Sequence, residues 1–139
     1  MPLRIGVASV IFGFLIASSI EVLGVDWRVY ARSEFGSYYY DSENVSRFRK
    51  DFMRVWQKIV LSNGGTANLA GELGKEYENV YEAIILREID CVHKRSRILE
   101  ITFYSEEGKV MKGESYKPVA WDFIIPDSVD DVLHQVVCK

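Results

Sequence analysis

The sequence predicts an α+β domain, a mainly antiparallel sheet of five to six strands with a C-terminal helix packed on one face. Two patterns carry the prediction. Between Trp27 and Tyr116, short runs of alternating apolar and polar residues are divided by turns rich in Gly, Asn, Asp and Ser. Near the end, Val129, Val132, Leu133, Val136 and Val137 follow the spacing i, i+3, i+4, i+7, i+8, one apolar stripe of a helix.

In order, Trp27-Arg28-Val29-Tyr30-Ala31 alternates as a half-buried strand does. Ser33 to Gly36 turns the chain, and Ser37-Tyr38-Tyr39-Tyr40, aromatic and β-prone, returns as the second arm of a hairpin. Consecutive tyrosines must point to alternate faces. Asp41-Ser42-Glu43-Asn44 is a further turn. Phe52 to Leu61 is a longer strand. Val55, Ile59 and Leu61 share one parity, and Phe52, Trp56 and Val60 the other, which predicts a central strand covered on both faces for part of its length.

Asn63-Gly64-Gly65-Thr66 ends that strand. Leu69, Leu73, Tyr77, Val80 and Tyr81 then recur at helical spacing, with Asn68 as the cap. Gly71 and Gly74 weaken this helix by up to ~1 kcal/mol each, so it is short. Residues 63–80 thus read as an inserted loop and short helix. Ala83 to Val92 returns to a β pattern, with Ala83, Ile85, Ile89 and Cys91 on one face. His93-Lys94-Arg95 is a charged turn, and Arg97 to Tyr104 is a strand with Leu99, Ile101 and Phe103 facing one way. Glu106-Glu107-Gly108-Lys109 closes a hairpin whose second arm is Val110 to Tyr116. Asp127 or Ser128 caps the C-terminal helix, and Asp130 and Asp131 lie near its positive end.

The first 24 residues set the address. Arg4 supplies a positive start, Ile5 to Ile20 runs without a charge, and Val22-Leu23-Gly24 offers a cut site. This is the layout of a secretory signal peptide. A membrane anchor needs roughly 20 apolar residues, and this run falls short and meets Glu21. The segment ends without a cysteine for lipid attachment. Removing it leaves one domain, residues 25–139, exported to the periplasm, the cell surface or the medium. The chain is 48% hydrophobic and 27% charged with a net charge of −3, as suits a folded protein. That charge excludes the basic excess a nucleic-acid partner requires.

Two cysteines remain, Cys91 and Cys138. In an oxidising compartment an even pair reads as a disulfide. The competing readings are a metal pair and a catalytic thiol, but there is no CxxC, and His93 and His134 are the only histidines. There is no Gly-x-Ser-x-Gly elbow, no His-Glu-x-x-His pair and no phosphate-binding glycine loop. His93 reads as a solvated turn residue, His134 as the polar side of a helix, and Glu106-Glu107 as a solvated turn. No cofactor and no enzymatic activity are expected. Asn44-Val45-Ser46 matches the glycosylation pattern. The aromatic residues Trp27, Tyr38, Tyr39, Tyr40, Trp56 and Trp121 either pack within the core or form a face for a protein partner.

The ordered set Tyr39-Tyr40-Asp41, Val55-Trp56, Glu88-Ile89-Asp90-Cys91, Tyr104 with Gly108-Lys109-Val110, Trp121, Ile125-Pro126-Asp127-Ser128-Val129 and Val137-Cys138 resembles the surface-adhesin protein E family, over Trp27 to Cys138. The resemblance implies an exported bacterial protein with an antiparallel sheet, a C-terminal helix and a Cys91–Cys138 bridge. It also implies adhesion to host matrix proteins and plasminogen, and dimers. The chain departs from the namesake in lacking a lipidation cysteine and in its Asn63–Asn79 segment. The expected function is a non-catalytic exported binding protein whose partner is an extracellular-matrix or envelope protein or a second copy of the chain. The alternative is a periplasmic inhibitor or protective protein, for example against lysozyme, acting through Asn63–Asn79 or the Glu106–Lys109 turn.

Overall fold

A computed structural model describes residues 24–115 and 120–139. The signal-peptide reading of the first segment lies outside the described residues. The elements are β1 (Trp27–Ser33), β2 (Gly36–Asp41), β3 (Ser46–Arg49), β4 (Phe52–Leu61), α1 (Asn63–Leu73), a single 3-10 turn (Lys75–Tyr77), β5 (Glu82–Asp90), β6 (Arg95–Tyr104), β7 (Val110–Ser115), β8 (Asp122–Phe123) and α2 (Val129–Val137).

The eight strands form one antiparallel sheet in the order β8-β6-β5-β4-β2-β1, with β3 beside β4 and β7 beside β6. The six expected strands are all present. The two beyond that number, β3 and β8, span four and two residues, too short for alternation to mark them.

Both helices lie on one face of the sheet. Odd-numbered residues of β4 and β5 point there: Val55 pairs with Arg87, Gln57 with Ile85 and Ile59 with Ala83. At one end, α2 buries Leu133 and Val137 against Val55, Ile89 and Ile124. At the other, Tyr77, Val80, Ala83 and Phe103 form a second cluster, joined by Leu69 and Ala70 of α1. Leu133 is fully buried, so truncating it to Ala would cost roughly 2–5 kcal/mol.

A polar network separates the two clusters. The buried Arg87 guanidinium donates to Gln57 Oε1 (3.2 Å) and Ser96 Oγ (3.1 Å), and it lies 3.6 Å from Asp130 on α2. Gln57 Nε2 donates to the Tyr30 hydroxyl. A register shift between Val29 and Ala31 makes room for Tyr30, whose ring packs against Tyr38 and Tyr40. Burial raises the Tyr30 hydroxyl's pKa, so it stays protonated.

Two local expectations need correction, and one open alternative is decided. The helix before β5 begins at Asn63, not at Leu69: Ser62, not Asn68, caps it, its Oγ accepting from Gly65 N at 3.0 Å. Gly74, at φ 122, then ends α1, so Tyr77 belongs to the 3-10 turn and Val80 and Tyr81 lie beyond both. Leu99 does not share a face with Ile101 and Phe103 by simple alternation. A bulge pairs Leu86 with Glu100 and Arg87 with Ile98, leaving Leu99 as the extra residue. At α2 the cap is Ser128, whose Oγ accepts from Asp131 N, and Asp127 sits outside it at φ 63.

Cys91 and Cys138 are bonded, with S–S 2.00 Å and Cα–Cα 5.6 Å, and none of the described cysteines is free. The bridge ties the last residue of the α2 cap to the turn after β5. Beside it, the His134 ring meets Cys91 O through Nε2 at 3.0 Å, a second tether between the same two segments.

Candidate functional site

The titratable groups singled out in the sequence serve the fold. The exposed ring of His93 bonds through Nδ1 to Asp90 Oδ2 at 3.1 Å, and its backbone N–H donates to Asp90 Oδ1, so Asp90 shapes the β5–β6 turn. Asp130 meets Arg87, and Asp131 meets Lys94 at 3.5 Å. The two carboxylates at the start of α2 therefore also pin that helix to β5 and to the β5–β6 turn. The Asp131 carboxyl is held below the usual range, chiefly by the backbone N–H of Asp127. His93 and His134 have different partners, and neither is joined to a nucleophile. Among the described residues, no group of three or more His, Cys, Asp or Glu side chains is disposed to hold a metal ion. Asn44 of the glycosylation pattern donates its side-chain amide to Asp41 Oδ2 (2.6 Å) and to Gly24 O.

The sheet face opposite the helices is different in kind. Antiparallel sheets commonly turn a polar face to water. Here even-numbered residues of β4 place Phe52, Arg54, Trp56 and Lys58 on that side, and no described helix covers them. Tyr39, Phe48, Phe52, Trp56 and Trp121 on it are half-buried, and Phe123, paired with Arg95, is exposed. Arg49 lies 4.2 Å over Phe52, Arg54 lies 4.7 Å over Phe48, and Phe52 meets Trp121 at 5.6 Å. Trp121 carries Arg97 at 4.1 Å and Arg95 at 5.4 Å. The buried Glu88 carboxylate accepts from Arg97 Nε at 3.0 Å and from Arg54 Nε at 3.1 Å, which fixes both guanidinium groups over their rings. Further along, Lys58 sits 5.0 Å from Trp27 and 5.2 Å from Tyr39. Of the three consecutive tyrosines, Tyr38 and Tyr40 thus enter the helix side and Tyr39 this one. Alternation foretold that division. The arginine stacking had no sequence signal, because β3, β4, β6 and the approach to β8 must pair before these residues meet.

A second feature joins the two segments named from the sequence. Asn63, Thr66, Glu78, Asn79 and Tyr81 face Glu106 of the β6–β7 turn across an open cleft of about 570 Å³. Thr66 Oγ1 donates to Val80 O at 2.9 Å, holding α1 along one wall.

No helix among the described residues is long and apolar enough to cross a membrane. No curated protein sequence matches the chain. A crystal structure of Haemophilus influenzae protein E (form II) is similar in part. It is 13% identical, with 73% of this chain and 79% of that one covered, at a TM-score of 0.46. The sequence pattern of the family described as surface-adhesin protein E matches residues 27–139, and the chain belongs to that family.

Proposed function

We propose that this protein is a non-catalytic, exported binding module that adheres to a protein partner at the cell envelope through the helix-free face of its sheet. The observation that carries this reading is the row of half-buried aromatic rings with arginines stacked on them, Phe48, Phe52 and Trp121 with Arg49, Arg54, Arg95 and Arg97. Aromatic residues and Arg are the side chains that dominate binding energy at protein interfaces. Holding them rigid beforehand lowers the entropy lost on association. Family membership supports the adhesin reading. The test is solid-phase binding of the purified protein to vitronectin, laminin and plasminogen. Saturable binding to at least one is expected, and none to any of the three would sink the proposal.

Self-association fits the same reading. β1 lies at one edge of the sheet with Val29 41% exposed, and β7 lies at the other with Val110 59% exposed. Such edges invite a further strand. Light scattering coupled to size exclusion should report a dimer at micromolar concentration, and a monomer mass would remove this element. A second reading, an inhibitor of an envelope-directed enzyme such as lysozyme, is favoured by the meeting of Asn63–Asn79 with Glu106 around one cleft. It requires inhibition at near-stoichiometric amounts.

A further inference from the structure

We propose that the cleft between α1 and the β6–β7 turn is a carbohydrate site, selective for oligosaccharides of neutral or amino sugars. This site is separate from the helix-free face. Its volume, about 570 Å³, falls in the range of small-ligand pockets. It is concave and open along one side, a shape that can receive a ligand.

The lining has the chemistry a sugar needs. A pyranose presents hydroxyls around its edge and C–H groups on its faces. The Tyr81 ring, 39% exposed, offers an apolar plane on which a C–H face can lie. The residue itself is held firmly: its N–H donates to Tyr104 O (2.8 Å) and its carbonyl accepts from Leu61 N (2.9 Å). The amides of Asn63 and Asn79 each bring a donor and an acceptor, and Glu78 and Glu106 bring acceptors. Among the described residues, none of these four exposed side chains makes a hydrogen bond or ion pair, so each is available to a ligand. Leu61, Ala67, Ala70 and Val80 add aliphatic surface to the lining.

Charge sets the selectivity. Two carboxylates and no cation line the cleft, in a chain of net charge −3. Acidic or sulfated sugars are repelled there, and a protonated sugar amine is attracted.

Calorimetric titration of the purified protein with three probes tests the proposal: an N-acetylglucosamine trimer, its deacetylated glucosamine trimer, and a hyaluronan tetramer. The expected result is saturable binding of both trimers, the glucosamine form tighter at low salt, and none of hyaluronan. Tyr81→Ala should weaken binding at least about tenfold, whereas Tyr81→Phe keeps it. Glu106→Gln, which removes one of the two carboxylates, should narrow the preference for the glucosamine trimer over the N-acetylated one. Absence of saturable binding of either trimer at about 10 mM, a concentration at which even weak sites fill, overturns the proposal. So does tighter binding of hyaluronan, or undiminished affinity in a folded Tyr81→Ala variant.

Discussion

Arg95 Nη2 donates to Asp90 Oδ2 at 2.6 Å, and the carboxylate it meets is fully buried at the end of β5. Asp90 also accepts from Arg95 Nε, from the backbone N–H of His93 and from the His93 ring. Burial alone would raise its pKa. The Arg95 guanidinium, then the two His93 contacts, reverse this and hold it below the ordinary 3.8. A carboxylate whose pKa is depressed by folding stabilises the native state above its unfolded pKa and loses that contribution as pH falls through the folded one. Asp90→Asn should therefore cost roughly 2–3 kcal/mol near neutral pH, and the gap from the wild type should close as pH drops below about 4. Urea unfolding of both proteins across pH 7 to 2.5 checks this, and a pH-independent gap would show that Asp90 acts through packing alone.

Cys91 and Cys138 stand 47 positions apart, and their bridge closes most of the C-terminal half of the domain into a loop. Chain entropy assigns such a link on the order of 4 kcal/mol. The Cys91→Ser, Cys138→Ser double variant should lose about that much, measured by urea unfolding without reductant. The loss should be local in its first effects. Amide exchange is expected to deprotect α2 before β4 and β5, because α2 is held otherwise by a single apolar stripe and the Asp130, Asp131 and His134 contacts.

Two glycines of α1 should respond with opposite signs. A Cβ at Gly65 would drive into the backbone carbonyl of Phe35, whereas one at Gly71 would meet nothing within 4 Å. Gly65→Ala is expected to cost about 2 kcal/mol by forcing α1 off the β1–β2 turn. Gly71→Ala should instead add about 0.5–1 kcal/mol through helix propensity. Chemical denaturation of the two variants decides it, and destabilisation by Gly71→Ala would contradict the open environment seen there.

An element was legible in the sequence where a local pattern fixes it and hidden where a distant contact does. Strands with long alternation, such as Glu82–Asp90 facing Phe52–Leu61, were legible because one buried face imposes a period of two. The stripe of α2 was legible for the analogous reason. Ser62-Asn63-Gly64-Gly65 was not, because local propensity makes it a turn. A helix starts there because only Gly65 lets the backbone pass against Phe35, a contact between positions 30 apart in sequence. Arg87 and Gln57 occupy core-facing positions that alternation would fill with apolar side chains, and their mutual bond resolves the conflict only once β4 and β5 pair. For the sites, the Asn63–Asn79 and Glu106–Lys109 segments were identifiable individually, but their meeting depends on the β6–β7 hairpin folding back beside α1. The rings of the helix-free face were visible as residues, and the guanidinium groups stacked on them were not.

The tryptophans provide an internal probe of which surface is used. Trp56 shares the helix-free face with Lys58, which bears on Trp27, and with Phe52, which bears on Trp121. A protein partner seated on that face must change the solvation of these indoles, so binding should shift or quench their emission, while a sugar in the α1 cleft should leave it unaltered. Replacing Phe52 or Trp121 by Ala should each weaken the partner roughly 5- to 30-fold, the effect of losing about 1–2 kcal/mol at an aromatic contact. Trp121→Ala also frees Arg95 and Arg97 from their ring, whereas Trp121→Phe keeps a surface to stack on and should recover part of the affinity. Denaturation midpoints of the same variants separate lost contact from lost fold. Saturable binding with unchanged emission, and unchanged affinity in both alanine variants, would place the adhesive contact elsewhere on the molecule.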